Sequence, residues 1–122
     1  MAGVQPAAEV TLYNGGLAAN AVAVFDSGSL YTVFSPEYAG LIGIEDVTTG
    51  NRTVVNTLGG PRDIYLFQLE IQLREAGGRF AAQIGFFEGH AARNILGRSV
   101  IFAAFEIGFH ERGQSIHLRP EA

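Results

Sequence analysis

The chain has 122 residues, no cysteine, a net charge of −4, 48% hydrophobic and only 16% charged residues, with 16 glycines. That length is one domain with a core of its own, and the missing cysteine removes disulfides, zinc ribbons and thiol nucleophiles. The eight basic residues are scattered, which argues against a nucleic-acid partner; no apolar run reaches the length of a membrane span and the N-terminus lacks a signal-peptide layout, so a cytoplasmic protein without a membrane partner is expected.

Residues 1–8 read as a flexible N-terminal segment, and 9–122 as a single domain. Glu9 to Tyr13 alternates as a strand, and Asn14-Gly15-Gly16 supplies a turn. Leu17 to Phe25 is a second strand, apolar without a break from Ala21, which suggests burial on both faces. Asp26-Ser27-Gly28-Ser29 breaks it, and Tyr31 to Phe34 resumes an extended pattern. Ser35-Pro36 is an N-cap followed by proline at the first helical position, predicting a short helix to about Leu41. Thr48 to Asn56 reads as a strand and Leu58-Gly59-Gly60-Pro61 as a turn. In the next strand Tyr65, Phe67, Leu69, Ile71 and Leu73 share one face, and Gln68, Glu70, Gln72 and Arg74 the other. Gly77-Gly78 turns the chain back into a strand over Phe80 to Phe87. A loop from Glu88 to Asn94 precedes a short helix, Arg98 to Ala104. Phe105, Ile107 and Phe109 alternate as a strand, Glu111-Arg112-Gly113-Gln114 reads as a hairpin turn, and Ile116 and Leu118 as its return. About eight strands with one or two short helices, at the turn spacing of a small all-β domain, predict a β-barrel.

The residue that carries chemistry is Asp26. An acid closing the apolar run Val22-Ala23-Val24-Phe25 is costly unless the site requires it, and the small residues after it let the chain turn and present the carboxylate. The segment VAVFDSGSLYTV resembles the active-site segment of retroviral-type (retropepsin-like) aspartic proteases. Ile95-Leu96-Gly97-Arg98 resembles the family's second signature, two apolar residues and glycine before a short helix. Thr53 to Phe67, with Leu58-Gly59-Gly60 at its tip, resembles the flap hairpin. The likeness spans roughly Glu9 to Leu118. The tail FEIGFHERGQSIHL extends past the point where retroviral members stop, as in cellular and bacterial members, including the ubiquitin-linked DNA-damage-inducible proteases.

The resemblance implies a retropepsin-like acid-protease barrel and an aspartic endopeptidase. On that resemblance it would work as a homodimer, one Asp26 per chain, on a peptide or protein substrate. Two carboxylates about 3 Å apart share one proton; the ionised one activates a water and the other donates to the forming oxyanion. Ser27 and Gly28 would fix the loop, with the Gly28 N–H donating to the carboxylate. Ile95, Leu96, Gly97 and Arg98 would support it from behind, and Leu58, Gly59 and Gly60 would close over a peptide bound as an added strand. The Ser29 hydroxyl is expected to lie at the substrate site and donate to Asp26, favouring its ionised form. Where retroviral members carry an acid that pairs with the arginine of the second signature, this chain has Leu30, so Arg98 needs another partner.

Other readings stand beside this one. A catalytically silent dimerisation or peptide-binding module could keep the same fold, and in a small ligand-binding barrel Asp26 would merely cap a strand. No cofactor is expected. His110 and His117, opposite each other across the terminal hairpin, and His90 in its loop make no convincing metal set. Glu45, Asp46 and Asp63 read as surface acids, Tyr65 and Phe67 as core, and the sequence offers no evident Ser–His–acid set.

Overall fold

The computed structural model describes residues 6–74 and 77–112, with side chains up to Glu106. Strands β1 (Ala7–Asn14) and β2 (Leu17–Phe25) form an antiparallel hairpin whose pairing runs from Ala7↔Val24 to Asn14↔Leu17. β3 (Thr32–Phe34) leads into helix α1 (Pro36–Leu41). β4 (Asn51–Thr57) and the 14-residue β5 (Gly60–Leu73) form a second hairpin, and β6 (Phe80–Phe87) returns along β5. The short β7 (Asn94–Leu96) precedes helix α2 (Arg98–Arg112).

The hydrogen-bonded order β1-β2-β7-β3-β6-β5 closes on itself because β1 also pairs with β5, from Val10↔Leu73 to Tyr13↔Glu70. The result is a closed six-stranded barrel with β4 attached to β5 outside the ring. Closure leaves the ring strands without free edges. Alternation then sends Val10 and Leu12 from β1, Leu69, Ile71 and Leu73 from β5, and Ile84 and Phe86 from β6 into one core. Each large apolar side chain buried there contributes about 1.5–3 kcal/mol. A smaller cluster, Val33, Ile64 and Phe87, packs apart from it, flanked by Tyr31, Val55 and Leu66.

The β5 periodicity is observed, with Tyr65, Leu69, Ile71 and Leu73 buried and Glu70 exposed. Helix α1 starts where Ser35-Pro36 predicts, Ser35 standing extended as its N-cap. Four expectations are corrected. β2 is not buried on both faces: Ala19, Ala21 and Ala23 point inward, whereas Val22 is 57% exposed on the outer wall. The strand expected from Thr48 starts at Asn51, because Asp46 accepts from the Thr48 N–H and hydroxyl and holds Val47–Thr49 in a 3-10 turn. Ala7 and Ala8 belong to β1 rather than to a flexible segment. Finally, α2 continues to Arg112 and so replaces the strand expected over Phe105, Ile107 and Phe109 and the start of the turn at Glu111. Val100, Ile101 and Ala104, at helical spacing, enter the main core, and each added residue then gains a helical bond at little cost. Gly113, Gln114, Ile116, His117 and Leu118 lie outside the described residues. No helix among the described residues is long and apolar enough to cross a membrane.

Candidate active site

Asp26 sits on the turn that leaves β2, partly exposed, between the strand that enters the loop and the one that leaves it. β7 is inserted between those two strands: it runs parallel to β2, Ala23↔Asn94 to Phe25↔Leu96, and pairs with β3 through Val33↔Ile95. The loop is therefore backed by its own second segment. The Asp26 N–H donates to the Leu96 carbonyl at 3.0 Å, and the Ser29 N–H closes the turn onto the Asp26 carbonyl at 3.0 Å.

The carboxylate is held from within the loop. The Gly28 N–H donates to Asp26 Oδ1 at 3.1 Å, and a Cβ at Gly28 would approach that oxygen to 3.3 Å. Ser27 and Gly28 themselves are exposed.

Gly97 and Arg98 grip the loop from behind. A Cβ on Gly97 would lie 2.4 Å from the Tyr31 carbonyl oxygen and 2.5 Å from its carbon, so only glycine lets α2 start this close to the backbone. The Gly97 N–H donates to the buried Thr32 hydroxyl at 2.7 Å. Arg98 finds partners other than an acid: its N–H donates to the Ser29 carbonyl at 2.9 Å and its Nε to the Ser27 carbonyl at 3.1 Å. Leu30, at the position of the family's acid, is 60% exposed. Leu96 is fully buried and Ile95 partly so.

Ser29 is a correction. Its hydroxyl donates to the Tyr31 carbonyl at 2.7 Å, not to Asp26, because the turn that brings its N–H to Asp26 also points its side chain forward along the chain. The expected effect of Ser29 on Asp26 ionisation therefore has no basis in this geometry.

The β4–β5 hairpin projects beyond the ring. Its register ends at Thr57↔Gly60, leaving Leu58-Gly59 as a two-residue loop. Gly60 takes φ +109°, a conformation other residues rarely adopt. The Thr57 hydroxyl staples the tip, donating to the Gly60 carbonyl at 2.7 Å and accepting from the Gly59 N–H at 3.2 Å. Leu58 is fully exposed. At the hairpin's base the cluster of Val33, Ile64 and Phe87 joins it to the segment that follows the Asp26 loop. Arg62 covers the Phe87 ring at 4.1 Å and donates to the Gly89 carbonyl at 3.3 Å, while Arg52 and Asp63 pair across the hairpin at 3.0 Å. Burial first, then the nearby carboxylates of Glu88 and Asp63, raise the Tyr65 hydroxyl pKa above its ordinary value.

A second polar cluster, missed in the sequence, joins α1 to the loop before β7. Ser35 Oγ lies 2.6 Å from Glu37 Oε1 and 3.4 Å from His90 Nδ1, and His90 Nδ1 lies 3.2 Å from Glu37 Oε2. These residue types are those of a hydrolytic triad, but the arrangement is a clamp. The Ser35 side chain is buried, its proton goes to the carboxylate, and its oxygen accepts from the Ala91 N–H at 2.9 Å. The Ser35 hydroxyl first, then the helix backbone, hold the Glu37 carboxyl below its ordinary value; burial opposes them and His90 adds to the lowering. Asn94 completes the clamp, accepting from the Ser35 N–H at 2.9 Å and donating to the Val22 carbonyl at 2.9 Å. The signal that could have found it is a polar amide standing directly before the apolar pair Ile95-Leu96.

Among the described residues no group of three or more His, Cys, Asp or Glu stands together as a metal site. His110 lies on α2, not on the hairpin strand expected for it. Comparison with protein-family models and with curated proteins returns no match, so the family reading rests on the motifs and the geometry around Asp26.

Proposed function

We propose that the chain is an aspartic endopeptidase of the retropepsin-like type, active as a homodimer in which each copy supplies one Asp26. The observation that carries this reading is the construction of the Asp26 loop. A short strand is inserted between the two strands flanking the acid, Gly97 is packed against the backbone behind it, and a loop N–H grips an accessible carboxylate. A turn acid that merely caps a strand needs none of this support.

In this reading two Asp26 carboxylates meet across a two-fold axis. Sharing one proton, they hold a water between them. The ionised carboxylate takes a proton from the water as it attacks the scissile carbonyl, and the protonated one donates to the oxyanion. The Gly28 N–H fixes the carboxylate plane, which lowers the cost of orienting it in the transition state. The β4–β5 hairpin closes over an extended peptide, supplying backbone groups and excluding water.

The test is a mixed peptide library incubated from mildly acidic to neutral pH with the native chain and with Asp26→Asn. Cleavage by the native chain alone supports the reading. Binding without cleavage by either protein points instead to the silent peptide-binding module, and equal cleavage by both removes Asp26 from the chemistry.

A further inference from the structure

The strand that backs Asp26 is held by little of its own. β7 has three residues, paired with β2 from Ala23↔Asn94 to Phe25↔Leu96 and with β3 only through Val33↔Ile95. A ladder that short offers few backbone bonds against local opening. Yet the Leu96 carbonyl at its end receives the Asp26 N–H. A shift of β7 along β2 therefore moves the backbone of the acid, and something outside the ladder must fix where β7 begins.

The loop in front of it, residues 88–93, supplies that fixing. Three consecutive residues of this loop are each held by a side chain from another element. Arg62 of β5 donates to the Gly89 carbonyl at 3.3 Å from its place over the Phe87 ring. Glu37 of α1 brings Oε2 to 3.2 Å from His90 Nδ1. Ser35, 1% exposed, accepts from the Ala91 N–H at 2.9 Å and donates to the other oxygen of Glu37 at 2.6 Å. One carboxylate thus holds both the hydroxyl under Ala91 and the ring of its neighbour. The Ser35 N–H then closes onto Asn94 Oδ1, and Asn94 Nδ2 onto the Val22 carbonyl, each at 2.9 Å. A buried hydroxyl whose donor and acceptor are both engaged admits one arrangement of its partners. The chain of contacts runs without a gap from Glu37 and His90 to the first residue of β7, and along β7 to the carbonyl under Asp26.

We infer that Glu37 and His90 are positioning residues for Asp26: they strap the loop of residues 88–93 to α1, and so set β7 and, through the Leu96 carbonyl, the backbone of the acid. A reacting carboxylate has to be held to a fraction of an ångström, and this strap acts on it through main chain alone. The inference rests on the protease reading for its kinetic arm and stands without it for its exchange arm.

The test uses His90→Ala and Glu37→Ala. The two side chains are 75% and 50% exposed, so both variants should fold, which melting curves check. Amide exchange followed by NMR reads the Asp26 N–H, whose acceptor is Leu96, and the Gly28 N–H, whose acceptor is the carboxylate itself. In both variants the Asp26 amide should exchange about fivefold faster or more and the Gly28 resonance should move. The amides of β1 from Val10 to Tyr13, a strand paired on both sides, should hold. His90→Asn carries a side-chain N–H near the place of Nδ1–H and should recover most of the loss. On a cleaved peptide, kcat should fall about tenfold in His90→Ala with KM held within about twofold, a split that a general loss of stability does not produce. Unchanged Asp26 exchange in both folded variants, equal acceleration throughout the barrel, or no rescue by asparagine would each overturn the inference. Selective Asp26 exchange without cleavage by the native chain sinks the protease and spares the strap, whereas native-chain cleavage with exchange and kcat unchanged in the variants sinks the strap and spares the protease.

Discussion

The two hairpins of this barrel are built from the same local code and behave as opposites. β1–β2 and β4–β5 each close with a two-residue loop, Gly15-Gly16 in one and Leu58-Gly59 in the other. Yet β1 has a second neighbour in β5 and β2 a second neighbour in β7, whereas β4 pairs with β5 alone among the described residues. The first hairpin is also tied down at its turn, where the Asn14 side chain donates to the Ile42 carbonyl at 3.0 Å. The second ends in a fully exposed leucine. Turn chemistry thus makes a hairpin, and lateral pairing decides whether it becomes part of the wall or stands outside it. The wall delivers Asp26 at the end of β2; the second hairpin carries β4 outside the ring.

Substitutions should sort by hairpin and by the segments that back it. Asp26→Asn keeps an acceptor for the Gly28 N–H, so it should leave the melt nearly unchanged and lower peptide cleavage by about 10³-fold or more. Gly97→Ala drives a methyl group into the Tyr31 backbone and should cost about 3 kcal/mol or more of stability, read as a shifted denaturation midpoint. A folded Gly97→Ala protein with an unshifted midpoint would undo the account of the wall. If the second hairpin closes over substrate, it should answer in the reverse sense. Leu58→Ala removes an exposed side chain, so stability should hold within about 0.5 kcal/mol while kcat/KM falls about tenfold. Hydrogen exchange draws the contrast more finely: β4 amides should be at least about tenfold less protected than those of β1 and β2. Equal protection would make the second hairpin a wall as well.

The smallest effect concerns pH. Glu37 is held below its ordinary value of 4.5. A carboxyl whose folded pKa is depressed contributes stability above its unfolded value and loses it as pH falls through the folded one. Denaturation midpoints taken from pH 7 down to pH 3 should therefore fall less steeply in Glu37→Gln than in the native chain. The group is half-exposed, so solvent screening keeps the difference small.

What was legible in the sequence was what depends on near neighbours. Pro36 starts α1 because its fixed φ acts within one turn, although the Ser35 hydroxyl makes no cap bond, and the period of two in β5 reports a strand with one buried face. The acid loop and Gly97 were legible as motifs. Their mutual support was not, since the parallel pairing of β2 with β7 joins residues some seventy positions apart. The partners of Arg98 are backbone carbonyls, which leave no trace in a residue pattern. Val22 was misread because a run of alanine and valine looks uniformly buried, and only the barrel decides that alanine faces in and valine out. Phe105, Ile107 and Phe109 fit a strand's period, but Val100, Ile101 and Ala104 anchor a helix that runs on through them. Ser35, Glu37 and His90 meet because α1 and the loop before β7 fold to the same place, which spacing along the chain does not encode.

The central claim is that two copies share one site, and subunit mixing tests it most directly. Native chain and Asp26→Asn are unfolded together, refolded as mixtures at fixed total concentration, and assayed on a cleaved peptide. If each site needs Asp26 from both copies, activity follows the square of the native fraction, about one quarter of the native rate at equal proportions. Activity falling in direct proportion to the native fraction, about one half at that point, would contradict the account, because each chain would then be acting alone.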